Sequence, residues 1–448
     1  MSDRSSSDSR APVEAAGETP GRPRPRHPLA DPHILVGALL PALLFSLGVG
    51  AMLPVIASFA VERGASLATA GAIAAMLPVG QILADMPAGS LTARIGDRRA
   101  MLLAGLLGAL GFLGAALSPG PLPLAAAVLL VGGANAVFHL ARHAHLTAVT
   151  PPQHRARVLS TLGGMNRIGQ FLGPFLGAAV LLVGELPLVF VVAAVTALAA
   201  SATVAMTRED PRTVDDDGAA GVGAAQSGRA GRAQSAEASR APRMLEVLRD
   251  HRRLLMTLGV PVLLVGSVRG ARQQVLPLWG EHLGLDPATI SLLFGLAAGV
   301  DMLLFYPAGK IMDRMGRLWI GVPSMTLLGL AMALVPLTSG ESQLAAAAVL
   351  MGLGNGLGSG IMMTIASDVA PERGRPQFLG AWRLLQDVGV ASGPLIVSAG
   401  AALGSLAAGI WTAAAMGPAG AAALRRWLPR WSIHATRATR RRVEQSAP

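Results

Sequence analysis

One shift of 220 residues lays the second half of this sequence over the first, and that internal repeat restricts the fold more than any other feature. It carries Met86-Pro87-Ala88-Gly89, Arg94 and Gly96 onto Tyr306-Pro307-Ala308-Gly309, Arg314 and Gly316. Gly132, Asn135, Pro151 and Arg155 move onto Gly352, Asn355, Pro371 and Arg375. Gly169, Gly173 and Pro174 move onto Gly389, Gly393 and Pro394. A constant offset over so many positions means two tandem copies of one structural unit.

The unit is membrane-bound. Apolar runs fill positions 34–60, 67–92, 100–118, 122–147, 157–183 and 186–206, and again 254–280, 286–312, 317–338, 342–369, 375–400 and 404–424. Each is long enough to cross a hydrocarbon core of about 30 Å as a helix. The expected fold is all-α, with twelve transmembrane helices in two six-helix bundles, 34–206 and 254–424. A polar tail (1–33), a Gly/Ala/Ser-rich linker (207–253) and a basic tail (425–448) complete the domain plan, with both tails expected to be disordered. Met244–Arg253 has the composition of a short amphipathic surface helix. With no cysteine, the chain has no disulfides and no thiolate chemistry.

The net charge of +11 is explained by membrane topology better than by nucleic acid, because the 36 arginines and Lys310 lie mostly in loops and tails. Alternate connections carry Arg94, Arg98 and Arg99; Arg155 and Arg157; Arg314 and Arg317; Arg373 and Arg375. The opposite loops hold Arg63 with Glu62, Glu185, Glu281, Asp286 and Glu341. Basic loops stay cytoplasmic, which places both termini in the cytoplasm of a plasma membrane. The arginine, alanine and glycine bias fits a bacterial inner membrane. Away from their ends, the spans carry charge only at Asp85, Arg142, Arg167, Arg269, Arg272, Asp301, Arg383 and Asp387. Spans 3, 6, 9 and 12 carry none, so they are expected to face lipid around a polar cavity lined by the others.

Two loops carry a known signature. Gly309, Asp313, Arg314, Gly316 and Arg317 follow G-x-L-x-D-R-x-G-R-R, and Gly89, Leu91, Arg94, Gly96, Arg98 and Arg99 repeat it with Ala93 in place of the acid. In this the chain resembles the major facilitator superfamily of transporters. Span 5 holds Gly169, Gly173, Pro174 and Gly177 in a G-x-x-x-G-P-x-x-G pattern similar to that of the family's drug/proton antiporters, although Val128 stands near the place of their usual span-4 arginine. The resemblance implies alternating access, proton coupling and export. The same glycines also serve simple helix packing.

Candidate site residues follow from charge and spacing. Asp301, Asp387 and His139 are the proton-coupling candidates. Arg269, Arg272 and Gln273 share a helix face, and Arg269 is expected to pair with Asp301 at the midplane, either permanently or until Asp301 is protonated. Arg383 and Asp387 are spaced for a local pair, while the repeat also sets Asp387 opposite Arg167. Asn135, His139, Arg142 and His143 form one face of span 4, read as a polar cavity wall ending in a basic cluster rather than a metal site. Gln81, Asn166, Gln170, Asn355 and Gln386 complete the expected lining. The Gly352–Gly360 run, GLGNGLGSG, lies inside a span, which excludes a dinucleotide loop and favours close helix packing.

No nucleophile–base set, cofactor motif or Walker sequence is present, so an enzyme is not expected, and an ion gradient is the expected energy source. The expected function is secondary transport of a small organic molecule, coupled to protons, by a monomer in contact with membrane lipids. Export is the first reading and uptake by symport the second; a membrane enzyme or a sensor is the remote third. Five arginines against three aspartates in the spans favour neutral or anionic substrates.

Overall fold

The computed structural model describes residues 35–150, 152–207, 246 and 249–439, and among these it holds helices and no strand. The expected N-terminal tail, most of the linker and its amphipathic segment, and the last nine residues lie outside that description. The first bundle is α1 (Leu40–Glu62, after a π-turn over Leu35–Leu39), α2 (Leu67–Ile95), α3 (Asp97–Ala116), α4 (Pro121–Val149), α5 (Pro152–Leu181) and α6 (Leu186–Met206). The second is α7 (Arg252–His282), α8 (Pro287–Met315), α9 (Leu318–Leu334), α10 (broken into Glu341–Leu357 and Ile361–Val369), α11 (Arg375–Ala402) and α12 (Leu406–Trp431). Eleven of the twelve are long and apolar enough to cross a membrane among the described residues. The exception is α5, which is long enough but carries Asn166, Arg167 and Gln170 in its middle.

Local sequence sets the helix ends. Pro121 and Pro287 open α4 and α8 where a missing N–H costs nothing. The turns after α2 and α8 need a left-handed backbone, supplied by Gly96 at φ +84° and Gly316 at φ +102°.

The halves repeat one packing scheme. In the first, α1 lies on α5 and α6, and α4 on α2 and α3; in the second, α7 lies on α11 and α12, and α10 on α8 and α9. Glycine permits the closest approaches. A Cβ on Gly173 would come within 2.5 Å of the Ala51 nitrogen on α1, and one on Gly389 within 2.5 Å of the Leu263 carbonyl on α7. With lipid outside, such van der Waals contact between backbones replaces the hydrophobic effect as the force holding helices together. Aromatic rings fill the wider gaps: Phe45 stacks on Phe138 at 4.6 Å between centroids and tilts against Phe112 at 6.4 Å.

The uncharged helices stand outermost. α3 packs on α6 and α9 on α12, and Leu103, Leu106, Leu110, Val191, Val195, Leu330 and Trp411 point outward in exposed positions.

The bundles meet along α2–α11 and α5–α8. At the end of the molecule distant from the start of α1, Phe171 and Phe175 of α5 press onto Gly299 and Gly295 of α8, and Gly71 of α2 touches Ser398 of α11. Toward the opposite face, where α1 begins and α12 ends, Gly163, Gly164, Gly360 and Gly380 have no atom within 4 Å of where a Cβ would stand. The molecule is therefore closed at the distal face and open between the bundles on the terminal face.

The C-terminal region departs from expectation. The basic residues Arg425, Arg426 and Arg430 continue α12 to Trp431, and the chain beyond folds back over the α8–α9 turn. There the backbone N–H groups of Arg317 and Leu318 donate to the carbonyls of His434 and Ala435, each at 3.1 Å. Ala435 is fully buried by this contact. Turn amides with no helical partner are what hold the segment down.

Candidate functional site

Between the bundles lies a cavity of two joined lobes, about 250 and 410 Å³. Leu53, Gln170, Gln273 and Val390 line both. All lining side chains come from α1, α2, α4, α5, α7, α8, α10 and α11.

The first lobe brings together Gln81, Asn135, His139, Gln170, Gln273, Arg383 and Asp387 among the expected residues, together with Asp85, a span-2 charge for which the sequence alone suggests no role. Arg383 Nε lies 3.5 Å from Asp387 Oδ2, the local pair that the spacing suggests. His139 sits one turn below Asn135. His143 turns away, its Nδ1–H donating to the His139 carbonyl at 2.9 Å.

The second lobe gathers Asn166, Arg167, Arg269, Arg272, Asp301 and Asn355, with Ser359 in addition. Here the expected partners change. Arg272, not Arg269, is the arginine in ion-pair range of Asp301, at 3.9 Å. Asn355 donates to the same Asp301 oxygen at 2.5 Å. Arg269 instead donates to the Gly358 carbonyl. The cause is the glycine run in α10. After Leu357 the helix breaks, Gly360 takes φ +79°, and the Gly358 carbonyl keeps only a long backbone bond, from the Ile361 amide at 3.3 Å. A backbone group so loosely held at that depth needs a side-chain partner, and Arg269 supplies it. The run therefore does more than pack helices closely.

Arg167 likewise departs from the repeat-based expectation. It does not meet Asp387, which lies in the other lobe. Its Nη2 donates to Ser359 Oγ at 2.6 Å, a bond across the two bundles. Its guanidinium lies 4.1 Å from the centroid of the Phe305 ring. A weakly hydrated planar cation suits such a ring face.

Arg142 is fully buried behind the lobes rather than in a basic cluster at the end of α4. Its Nη2 donates to Asn166 Oδ1 at 3.0 Å and to His139 Nδ1 at 3.2 Å. Ser46 of α1 donates to the same Asn166 oxygen at 2.9 Å. Gln386 is not part of either lobe; its Oε1 is buried without a partner.

The two signature loops differ. In the second half Arg317 Nε lies 3.0 Å from Asp368 Oδ2 on α10, its Nη1 3.7 Å from Asp313, and the C-terminal segment covers the pair, with Ser432 Oγ 3.4 Å from Asp368. Asp368 is a partner that the loop motif alone does not reveal. In the first half Ala93 leaves no acid in the loop's usual place, and Arg98 donates to the carbonyls of Val204 and Ala205 at the end of α6. Gly169, Gly173 and Gly177 all face α1 within their own bundle.

Two pseudo-equivalent helical bundles around a polar midplane cavity, open at one face and closed at the other, define a membrane transporter rather than an enzyme. The chain belongs to the Major Facilitator Superfamily, whose sequence profile matches residues 38–394 and 263–445. No curated protein matches it. Among solved structures it is similar to a POT-family transporter in complex with a thioalcohol-conjugated peptide (13% identity, TM-score 0.68), covering 88% of this chain and 96% of that one. It is similar also to a D-xylose–proton symporter (16%, TM-score 0.63; 90% and 97% covered). A peptide transporter POT in complex with sulfate compares likewise (16%, TM-score 0.67; 92% and 97% covered). At such identities the likeness is one of fold.

Proposed function

We propose that this transporter moves a small organic molecule against its gradient by coupling to protons, with export as its direction and Asp301 as the coupling acid. The single observation that supports this is the setting of Asp301. Its side chain is 15% exposed in the second lobe, held by Arg272 at the edge of ion-pair range and by Asn355, with Oδ1 buried and unpartnered. A proton on Asp301 frees Arg272 and loss of that proton draws the arginine back, so the two states of the acid differ in the charge the lobe presents. The bundles rock between a state open at the terminal face and one open at the distal face. The basic loops favour the cytoplasmic side of a plasma membrane for the terminal face.

Uptake by proton symport is the second reading. What favours it is that the antiporter-like glycine pattern recurs as Gly389, Gly393 and Pro394, and both copies are occupied in helix packing within their own bundle. Everted membrane vesicles with an acidified lumen separate the two, with a pH-sensitive dye reporting proton movement. Proton release on adding substrate, abolished in Asp301→Asn and retained in Asp387→Asn, is the result expected for export. Substrate entry into proteoliposomes that tracks an inward proton gradient would replace it with symport.

A further inference from the structure

The shift of 220 that relates the bundles also exchanges the two lobes of the cavity. It moves Gln81, Asn135 and His139 of the first lobe onto Asp301, Asn355 and Ser359 of the second. It likewise moves Arg167 of the second lobe onto Asp387 of the first. The fold thus makes one pocket twice, and the sequence gives the copies opposite charge. In the first lobe Arg383 is taken by Asp387, which leaves Asp85 as the surplus, an acid. In the second lobe Asp301 answers Arg272, which leaves Arg167 and Arg269 on neutral partners, a hydroxyl and a carbonyl.

The second lobe also holds unfinished bonding. Arg269 Nε, Arg272 Nε and Asp301 Oδ1 are buried with no hydrogen-bond partner. Buried donors on arginine call for acceptors, and a compact anion supplies several at once. A simple anion would leave Asp85 unanswered at the other end of the same cavity, and a simple cation would leave two arginines unanswered. Because both lobes share Leu53, Gln170, Gln273 and Val390, one molecule spans them.

We propose that the substrate is a zwitterion, its carboxylate or similar compact anion in the second lobe against Arg167 and Arg269 and its amine in the first lobe against Asp85. This deepens the transport reading and narrows the sequence-based preference for neutral or anionic substrates: the charge surplus is not spread through the cavity but divided between its halves. Complementary charge at both ends gives selectivity over singly charged analogues that size alone does not give.

The test is equilibrium binding to the full chain in lipid nanodiscs, using matched triplets. γ-Aminobutyrate, ε-aminohexanoate and dialanine are compared with butyrate, hexanoate and N-acetyl-dialanine, and with butylamine, hexylamine and dialanine amide. At least one zwitterion is expected to bind tenfold or more tightly than both of its partners. Asp85→Asn is expected to reduce that zwitterion to the affinity of its matched anion, and Arg167→Gln with Arg269→Gln to that of its matched amine. A smaller preference, a preference for either singly charged class, or binding by no zwitterion overturns the proposal. Monodisperse elution checks the variants, and the wild-type ranking decides the matter should one of them fail to fold. The result is separable from the transport reading. Zwitterion binding without coupled proton movement refutes the coupling alone, whereas coupled movement of a plain anion refutes the zwitterion alone.

Discussion

The turn between α2 and α3 and the turn between α8 and α9 are the same piece of design held in two different ways. Both close on a left-handed glycine, Gly96 and Gly316. The second then binds its bundle through charge, with Arg317 joined to Asp368 and covered by residues 432–439. The first has Asp97 where the repeat sets Arg317, and Ala148 where it sets Asp368. There Arg98 donates to the last carbonyls of α6. Backbone geometry has been kept in both copies, while the Arg317–Asp368 pair has no counterpart at the equivalent positions of the first.

The sharpest way to break this contrast is Arg317→Ala. Asp368 is 12% exposed at its side chain and would be left without its cation, at a cost of about 3–5 kcal/mol. A large fall in the thermal unfolding midpoint of the purified protein checks it. Next in size is truncation after Trp431. It removes the acceptors for the Arg317 and Leu318 amides, each bond worth about 1 kcal/mol net. Hydrogen exchange at those two amides should accelerate at least tenfold while amides of the α2–α3 turn keep their rate. Arg98→Ala should give a smaller midpoint shift than Arg317→Ala, since Arg98 donates to backbone carbonyls where Arg317 meets a largely buried carboxylate.

The smallest effect sharpens the comparison on the distal face. Ser66 caps α2 and Asp286 caps α8 at repeat-equivalent positions, each accepting backbone N–H groups of the first turn. Loss of either cap costs about 1 kcal/mol. Only Asp286 titrates. Hydrogen bonds from the Thr289 hydroxyl and amide hold its carboxyl below the usual carboxylate value. A carboxyl depressed by folding stabilises fully above its unfolded pKa and loses that contribution as pH falls through the folded value. The stability difference between wild type and Asp286→Ala should therefore shrink below about pH 4, and that between wild type and Ser66→Ala should not.

Much of this is legible in the sequence. Apolar runs mark the twelve helices, the repeat marks the two bundles, and the charged spans identify six of the eight helices that line the cavity. Those signals are strong because hydrocarbon admits few alternatives. The pairings inside the cavity are less legible. Arg269 and Arg272 lie three residues apart on one face, and depth alone favours the wrong one for Asp301. The break at Gly358–Gly360 decides the matter by turning toward Arg269 a Gly358 carbonyl that the Ile361 amide holds only at 3.3 Å. Arg142 shows the same limit. Its place on α4 suggests a terminal cluster, but Asn166 on a neighbouring helix draws it into the interior. Asp368 is hidden from the motif because it lies 51 residues from Arg317 and outside the loop.

The strap over the α8–α9 turn also has a consequence in time. Residues 432–439 leave the ribosome after all twelve helices, so the terminal face of the second bundle receives its cover last. Until then the amides of Arg317 and Leu318 have only water to bond, and Asp368 meets Arg317 unshielded. The first bundle waits for no such piece, since Arg98 finds its acceptors at the end of α6. One half of the molecule has its contacts once α6 is made, and the other only when residues 432–439 arrive.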